Sequence, residues 1–94
     1  MAVLDEEIRK RGYSLGHLGT RYMKAAVGMI AARPEVERIY RTKEVYPAIA
    51  RAAGAVSWQS VERAMRYAVK AARPGQTVAA EMYEMAAVVR AHED

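Results

Sequence analysis

The side chains with the most chemical content lie at helical spacing between positions 59 and 73. A helix advances about 100° per residue, which places the polar side chains of this stretch within roughly a third of the circumference. They are Gln59, Glu62, Arg63, Arg66, Lys70 and Arg73. An ordinary solvated helix face mixes acids and bases at i,i+4 spacing, whereas this face carries four positive residues and one negative. The pattern favours an anionic partner.

The arginines indicate which anion. The fork of an arginine matches guanine O6 and N7 in the major groove of DNA, so Arg63 and Arg66 are candidates for reading bases. Lys70 and Arg73 lie further along the helix and suit phosphates. A basic face on a small helical domain is also commonly a solvated surface without a partner, and the pattern alone leaves that alternative open.

The neighbouring residues predict the elements that position these side chains. The opposite side of the same helix is apolar, and several of its residues are small enough for another helix to approach closely: Val61, Ala64, Met65, Ala68, Val69 and Ala72. Upstream, Ile49, Ala50 and Ala53 are the inward positions of a preceding helix. Gly54 supplies a residue that tolerates positive φ, and Ser57 is a favourable N-cap. Residues 44–73 therefore have the layout of a helix-turn-helix, whose second helix, 58–72, is called the recognition helix below.

The rest of the chain also reads as helical. Helices are predicted over Val3–Arg11, Leu18–Ala32 and Thr77–Ala91, with a further turn over 35–40. The first helix of the helix-turn-helix is expected to begin between Glu44 and Tyr46, because Pro47 then falls in its first turn. Two apolar faces are expected: Leu18, Tyr22, Ala25, Ala26, Met29 and Ile30 in one helix, and Val78, Met82, Met85, Ala86 and Val89 in the last. No stretch alternates as a strand would. The fold class is all-α, a compact bundle of about five helices in a single domain, 1–94.

Composition narrows the function classes. The 94 residues carry a formal charge of +4, and eight basic against two acidic residues lie from Arg38 to Arg73, which gives that segment +6 and the remainder −2. No apolar run is long enough to cross a bilayer, and the acidic start is unlike a signal peptide, so a cytoplasmic location is expected. The chain has no cysteine, which excludes disulfides, thiolate nucleophiles and zinc fingers.

Other reactive side chains lack partners in the sequence. His17 and His92 have no acid at ligand spacing that would suggest a metal, and Ser57 and Ser60 have no histidine within reach. No enzyme, metal or cofactor is predicted. Trp58 is expected to pack on the core rather than against DNA. The methionines are expected in the core, with Met82 and Met85 beside Tyr83 as an alternative partner surface.

Two segments carry a resemblance to a known family. T-K-E-V-Y-P-A-I-A, from Thr42 to Ala50, and S-V-E-R-A-M-R-Y-A-V, from Ser60 to Val69, resemble the C-terminal DNA-binding domain of the sporulation initiation response regulator. Gly12, Gly19 and the segment 22–30 also fall at matching spacing. The resemblance thus covers most of the chain from Ile8 to Arg73.

The resemblance implies how the domain binds DNA. It implies a recognition helix in the major groove, with two copies on neighbouring short boxes of the TGTCGAA type. It implies DNA contacts by Glu62, Arg63 and Arg66, and backbone contacts by Thr42 and Lys43. The remaining site predictions are Gln59 and Tyr67 for bases, and Ser57, Ser60, Lys70 and Arg73 for phosphates. Tyr67 replaces a histidine usual in the family, and the turn residues 56–59 differ too, so a changed box is also expected.

Two functions from different classes remain. The first is a sequence-specific transcription regulator domain that binds double-stranded DNA, as a homodimer on tandem boxes. The second is a protein-interaction module that docks on an RNA polymerase sigma factor or a related regulator. Beyond Pro74 the chain is shorter than the family pattern, as if its penultimate helix were missing, and no receiver domain is present. Either an excised domain or a protein that its own phosphorylation cannot switch is therefore expected.

Overall fold

The computed structural model describes residues 2–32 and 42–93, and the regular elements within these ranges are helices. They are α1 (Ala2–Lys10), α2 (Leu18–Ala31), α3 (Thr42–Ala53), α4 (Trp58–Ala72) and α5 (Val78–Glu93). The predicted all-α bundle of about five helices is confirmed. The further turn predicted over 35–40 lies outside the described residues. No helix in the described part of the chain is long and apolar enough to span a membrane.

Helix α1 ends where the sequence predicts, at a glycine. Gly12 has a φ of 90°, its N–H donates to the Arg9 carbonyl at 3.0 Å, and the Tyr13 N–H donates to the Ile8 carbonyl at 3.1 Å. These two bonds form a Schellman motif, which satisfies carbonyls that the helix leaves free at its end. Ile8 and Tyr13 both belong to the buried core, so burial on either side of the turn also fixes the reversal of the chain.

Helix α2 packs against α3, α4 and α5 and forms the centre of the bundle. It lies very close to α4 at Gly19. A Cβ placed on Gly19 would lie 2.8 Å from the carbonyl carbon of Ala64, closer still to the Ala64 oxygen, and 2.9 Å from Cβ of Ala68. The absence of a side chain at Gly19 is therefore what lets the two backbones meet, and the small residues predicted on α4 do permit a close neighbour.

The predicted inward face of α2 was partly wrong. Leu18 is 53% exposed and Ala25 is also exposed, whereas Val27, which was not predicted to face inward, is fully buried. Met23 is fully buried too, as expected for the methionines. The buried face is rotated by roughly 110° from the predicted one on a 100° helical wheel. Apolar side chains occur on both sides of α2, so the pattern alone does not decide which side is buried; the close contact with α4 at Gly19 does.

Helix α3 begins earlier than predicted. It starts at Thr42, so Pro47 is its sixth residue and falls in the second turn rather than the first. A proline there removes one intrahelical hydrogen bond. The apolar face of the helix compensates for this loss, because it is buried through Val45, Tyr46, Ile49 and Ala50. Ala53, which was also predicted to face inward, is exposed at the last position of the helix.

Helix α5 covers one side of the bundle. Thr77 caps it as predicted, because its Oγ1 accepts from the Ala80 N–H at 3.1 Å. The helix then runs two residues beyond the predicted end, to Glu93. Met82 and Met85 are fully buried, so they belong to the core and the alternative of a partner surface was wrong.

Candidate nucleic-acid interface

The turn that precedes α4 has the geometry the sequence predicts. Gly54 has a φ of 69°, and the Ala55 N–H donates back to the Ala50 carbonyl at 3.0 Å, which closes α3. Ser57 is the N-cap of α4 in extended backbone, and its Oγ accepts from the Ser60 N–H at 3.2 Å. The Ser60 hydroxyl donates to the Ser57 carbonyl at 2.7 Å. The first turn of the recognition helix is therefore held by a reciprocal pair of serine bonds.

Helix α4 has the two faces that the sequence predicts. Val61, Met65, Ala68 and Val69 are buried against the rest of the bundle. The exposed side carries five of the predicted DNA-contacting residues: Gln59, Arg63, Arg66, Tyr67 and Lys70. The structure therefore brings these side chains together on one outward stripe, with half-buried Glu62 at its edge.

Within the stripe, Glu62 and Arg66 are paired. An Arg66 Nη2 proton bonds Glu62 Oε1 at 2.7 Å, one helical turn apart. An exposed i,i+4 pair adds only about 0.3–0.5 kcal/mol to stability, so its main effect is to orient the guanidinium. Arg63 and Lys70 form no ion pair or hydrogen bond with described residues. Their charges remain available to an anion.

Tyr67 extends the stripe to another helix. Its ring is stacked on that of His17, with centroids 6.3 Å apart and an angle of 11° between the planes. His17 is the N-cap residue of α2 and forms no side-chain cap bond there. The sequence predicted no role for His17, because nothing local indicates that positions 17 and 67 meet.

Trp58 stands at the leading end of α4. Its ring is stacked on Tyr46 of α3, with centroids 6.4 Å apart, yet it remains 43% exposed. The predicted packing on the core is thus confirmed for one side of the ring only. Burial first, and then the negative charge of Glu62, raises the pKa of Tyr46, which stays neutral beneath the tryptophan.

Arg73 is not brought together with the stripe. It is the C-cap residue of α4, and its Nε lies 3.6 Å from Oε2 of Glu81. Ser57 and Ser60 lie at the leading end of the stripe, where their hydroxyls serve the helix cap. Thr42 and Lys43 belong to the first turn of α3, and their side chains lie outside the described residues.

A buried ion cluster holds the other end of the recognition helix. Glu81 is fully buried in α5; its carboxylate accepts from the Tyr13 hydroxyl at 2.8 Å and from Arg11 at 3.1 Å. Arg11 also bonds Glu7 at 2.7 Å and Glu84 at 3.0 Å. Burial, and then the bond to Glu81, raises the pKa of the Tyr13 phenol well above its ordinary value. The cluster ties α1 and α5 together at the point where α4 ends.

These features define a class of protein. Helices α3 and α4, joined by a glycine turn and a serine cap, form a helix-turn-helix within a helical bundle, and the second helix presents a basic outward stripe. Such a helix lies in the major groove of DNA in proteins of this architecture. The fold and the stripe together define a helix-turn-helix DNA-binding domain.

The comparison with known families identifies the domain. Residues 4–92 match the family model described as "Sporulation initiation factor Spo0A C terminal", and the chain belongs to this family. It is a DNA-binding effector domain of a sporulation regulator and not an enzyme. The match extends beyond both ends of the segment 8–73 that carried the resemblance in the sequence, and it includes α5. No curated protein and no solved structure matches the chain significantly.

Proposed function

We propose that the domain, residues 1–94, binds a short DNA box sequence-specifically by placing α4 in the major groove. The observation that carries this proposal is the outward stripe of α4, in which Arg63, exposed and without an ion pair to any described residue, lies one turn from an arginine that Glu62 already orients. Base reading needs a fixed donor geometry as well as charge, and the Glu62–Arg66 pair supplies it before DNA arrives.

The proposed roles follow from position along the helix. Arg63 and Arg66 donate to guanine edges, and Glu62 accepts from a cytosine amino group while it holds Arg66. Gln59, near the leading end, suits an adenine edge, and Tyr67 contacts the side of the groove where His17 supports it. Lys70 binds phosphate. Arg73, turned toward Glu81, serves the fold and is left out of the proposed contacts.

Two copies on tandem boxes would supply the affinity that one small domain lacks. A single domain of this size covers little more than one half-site, and helix-turn-helix proteins commonly pair on adjacent sites. Pairing is therefore expected to depend on the concentration of the domain and on the spacing between two boxes.

The test is a fluorescence-anisotropy titration with a duplex carrying TGTCGAA, its single-base variants and a scrambled duplex. Arg63→Ala is expected to weaken binding to the box by a factor corresponding to about 1–3 kcal/mol and to leave scrambled DNA nearly unaffected. Arg9→Ala, which removes the same charge from the exposed side of α1, is the matched control and should change neither.

A second arm separates phosphate contacts from base contacts. Lys70→Ala is expected to weaken binding to all duplexes alike and to lower the slope of log affinity against log salt by about 0.9. Equal effects of Arg63→Ala on box and scrambled DNA would contradict base reading. Binding to an RNA polymerase sigma factor without any binding to DNA would instead favour the protein-interaction alternative.

A further inference from the structure

Val56 is an apolar side chain that the fold does not use. It lies in the turn between α3 and α4 and is 98% exposed, more than Leu18, Trp58 or Tyr67 among the large exposed hydrophobic residues of the described chain. Its neighbour Ala55 packs against the core, so the turn needs no side chain from Val56 for its stability. Covering this side chain with a partner is favourable, because it removes apolar surface from water.

The position of Val56 restricts what that partner can be. It precedes the N-cap Ser57 by one residue and Trp58 by two, at the end of α4 whose first residues meet base edges in a helix-turn-helix. Trp58 is held on Tyr46, so it cannot swing over Val56 without breaking that stack. The exposed valine therefore lies at the leading end of α4, three residues before Gln59, the first residue of the stripe.

We propose that Val56 is a specificity-determining residue that contacts the C5-methyl group of a thymine at the edge of the box nearest the start of α4. This proposal rests on the proposed function. The thymine methyl is the apolar group that normal base pairs display in the major groove, and a valine without donors or acceptors can recognise nothing else there. The arginines read guanine and Val56 adds a preference for thymine beside it.

The experiment replaces each thymine of the bound box singly by uracil, which removes one methyl group and no hydrogen-bonding group. For the wild-type domain, one position is expected to lose about fourfold in affinity, the value for one buried carbon. With Val56→Ala the thymine box binds more weakly and the uracil substitution has no further effect. Val56→Thr, which keeps one methyl at γ, is expected to retain part of the preference.

Arg63→Ala is the matched control, because it lowers affinity for the box through the loss of a guanine contact yet should keep the thymine-to-uracil ratio. Two results would overturn the role of Val56 and leave the proposed function standing. One is a thymine-to-uracil ratio of affinities that is the same in Val56→Ala as in the wild type. The other is a wild-type domain that still reads the box through Arg63 but loses no affinity at any uracil substitution. A wild-type domain that binds box and scrambled duplexes equally would overturn both. Since Val56 is exposed, its variants should unfold like the wild type, which circular dichroism checks.

Discussion

Replacing Gly19 by alanine is expected to destabilise the domain by about 2 kcal/mol. The new Cβ would meet the backbone carbonyl of Ala64, with 2.8 Å to its carbon, and Cβ of Ala68 at 2.9 Å. Overpacking costs about 1–3 kcal/mol, and the upper end applies because a helix backbone cannot rotate aside as a side chain can. Against this, alanine in a helix is better than glycine by up to about 1 kcal/mol.

The same helix offers a control of opposite sign. Gly28 also lies within α2, and a Cβ placed on it would meet nothing within 4 Å. Gly28→Ala therefore gains helix propensity without a clash and is expected to stabilise the domain by about 0.5–1 kcal/mol. The two substitutions are chemically identical, so any difference between them comes from the approach of α4.

Urea unfolding measures both variants, followed by far-UV circular dichroism and by the fluorescence of Trp58, the only tryptophan in the sequence. At 4–8 °C per kcal/mol for a domain of this size, Gly19→Ala should also lower the melting temperature by about 10 °C. A Gly19→Ala variant as stable as wild type, or a shift in the same direction for both variants, would refute the close contact between α2 and α4.

Two further predictions concern the ends of the recognition helix. Tyr13→Phe should cost about 1.5–3 kcal/mol at neutral pH, because Glu81 loses a buried donor. Folding raises the pKa of Tyr13 above the ordinary 10.0, so the wild-type free energy of unfolding is expected to fall as the pH rises above about 10. Unfolding curves at several pH values should show a smaller fall in Tyr13→Phe. Part of the fall that remains in this variant comes from Tyr46, whose pKa is also raised. Ser57→Ala should cost about 1 kcal/mol in thermal unfolding through loss of the N-cap, whereas a Ser57→Gly control should lose only a few tenths.

The recognition helix could be predicted from sequence because its determinants are local. Helical spacing separates Val61 and Met65 from Arg63 and Arg66 whatever the rest of the chain does, and Gly54 and Ser57 mark the turn by their own backbone preferences. The family match confirms the class of protein that this pattern predicted. The individual DNA contacts remain predictions.

What could not be predicted depends on partners that are distant in sequence. Nothing local marks Glu81 as a buried residue, because only Tyr13 and Arg11, about 70 positions earlier, explain its burial. The hydrophobicity of Leu18 predicts a core position, because the pattern does not include the backbone contact between Gly19 and α4. The predicted start of α3 is too late because the rule for Pro47 considers the helix alone, without the burial of the neighbouring residues.

The anchoring of α4 has a consequence for how such a domain can evolve. Its inward contacts are made by a buried face packed closely against α2 and by a salt-bridged end, while positions 56, 59 and 63 are exposed and contribute to neither. If α4 contacts DNA as proposed, substitutions at these three positions are expected to alter the preferred box with little change in folding stability. A family built on this scaffold can diversify its target sites while the scaffold itself stays constant.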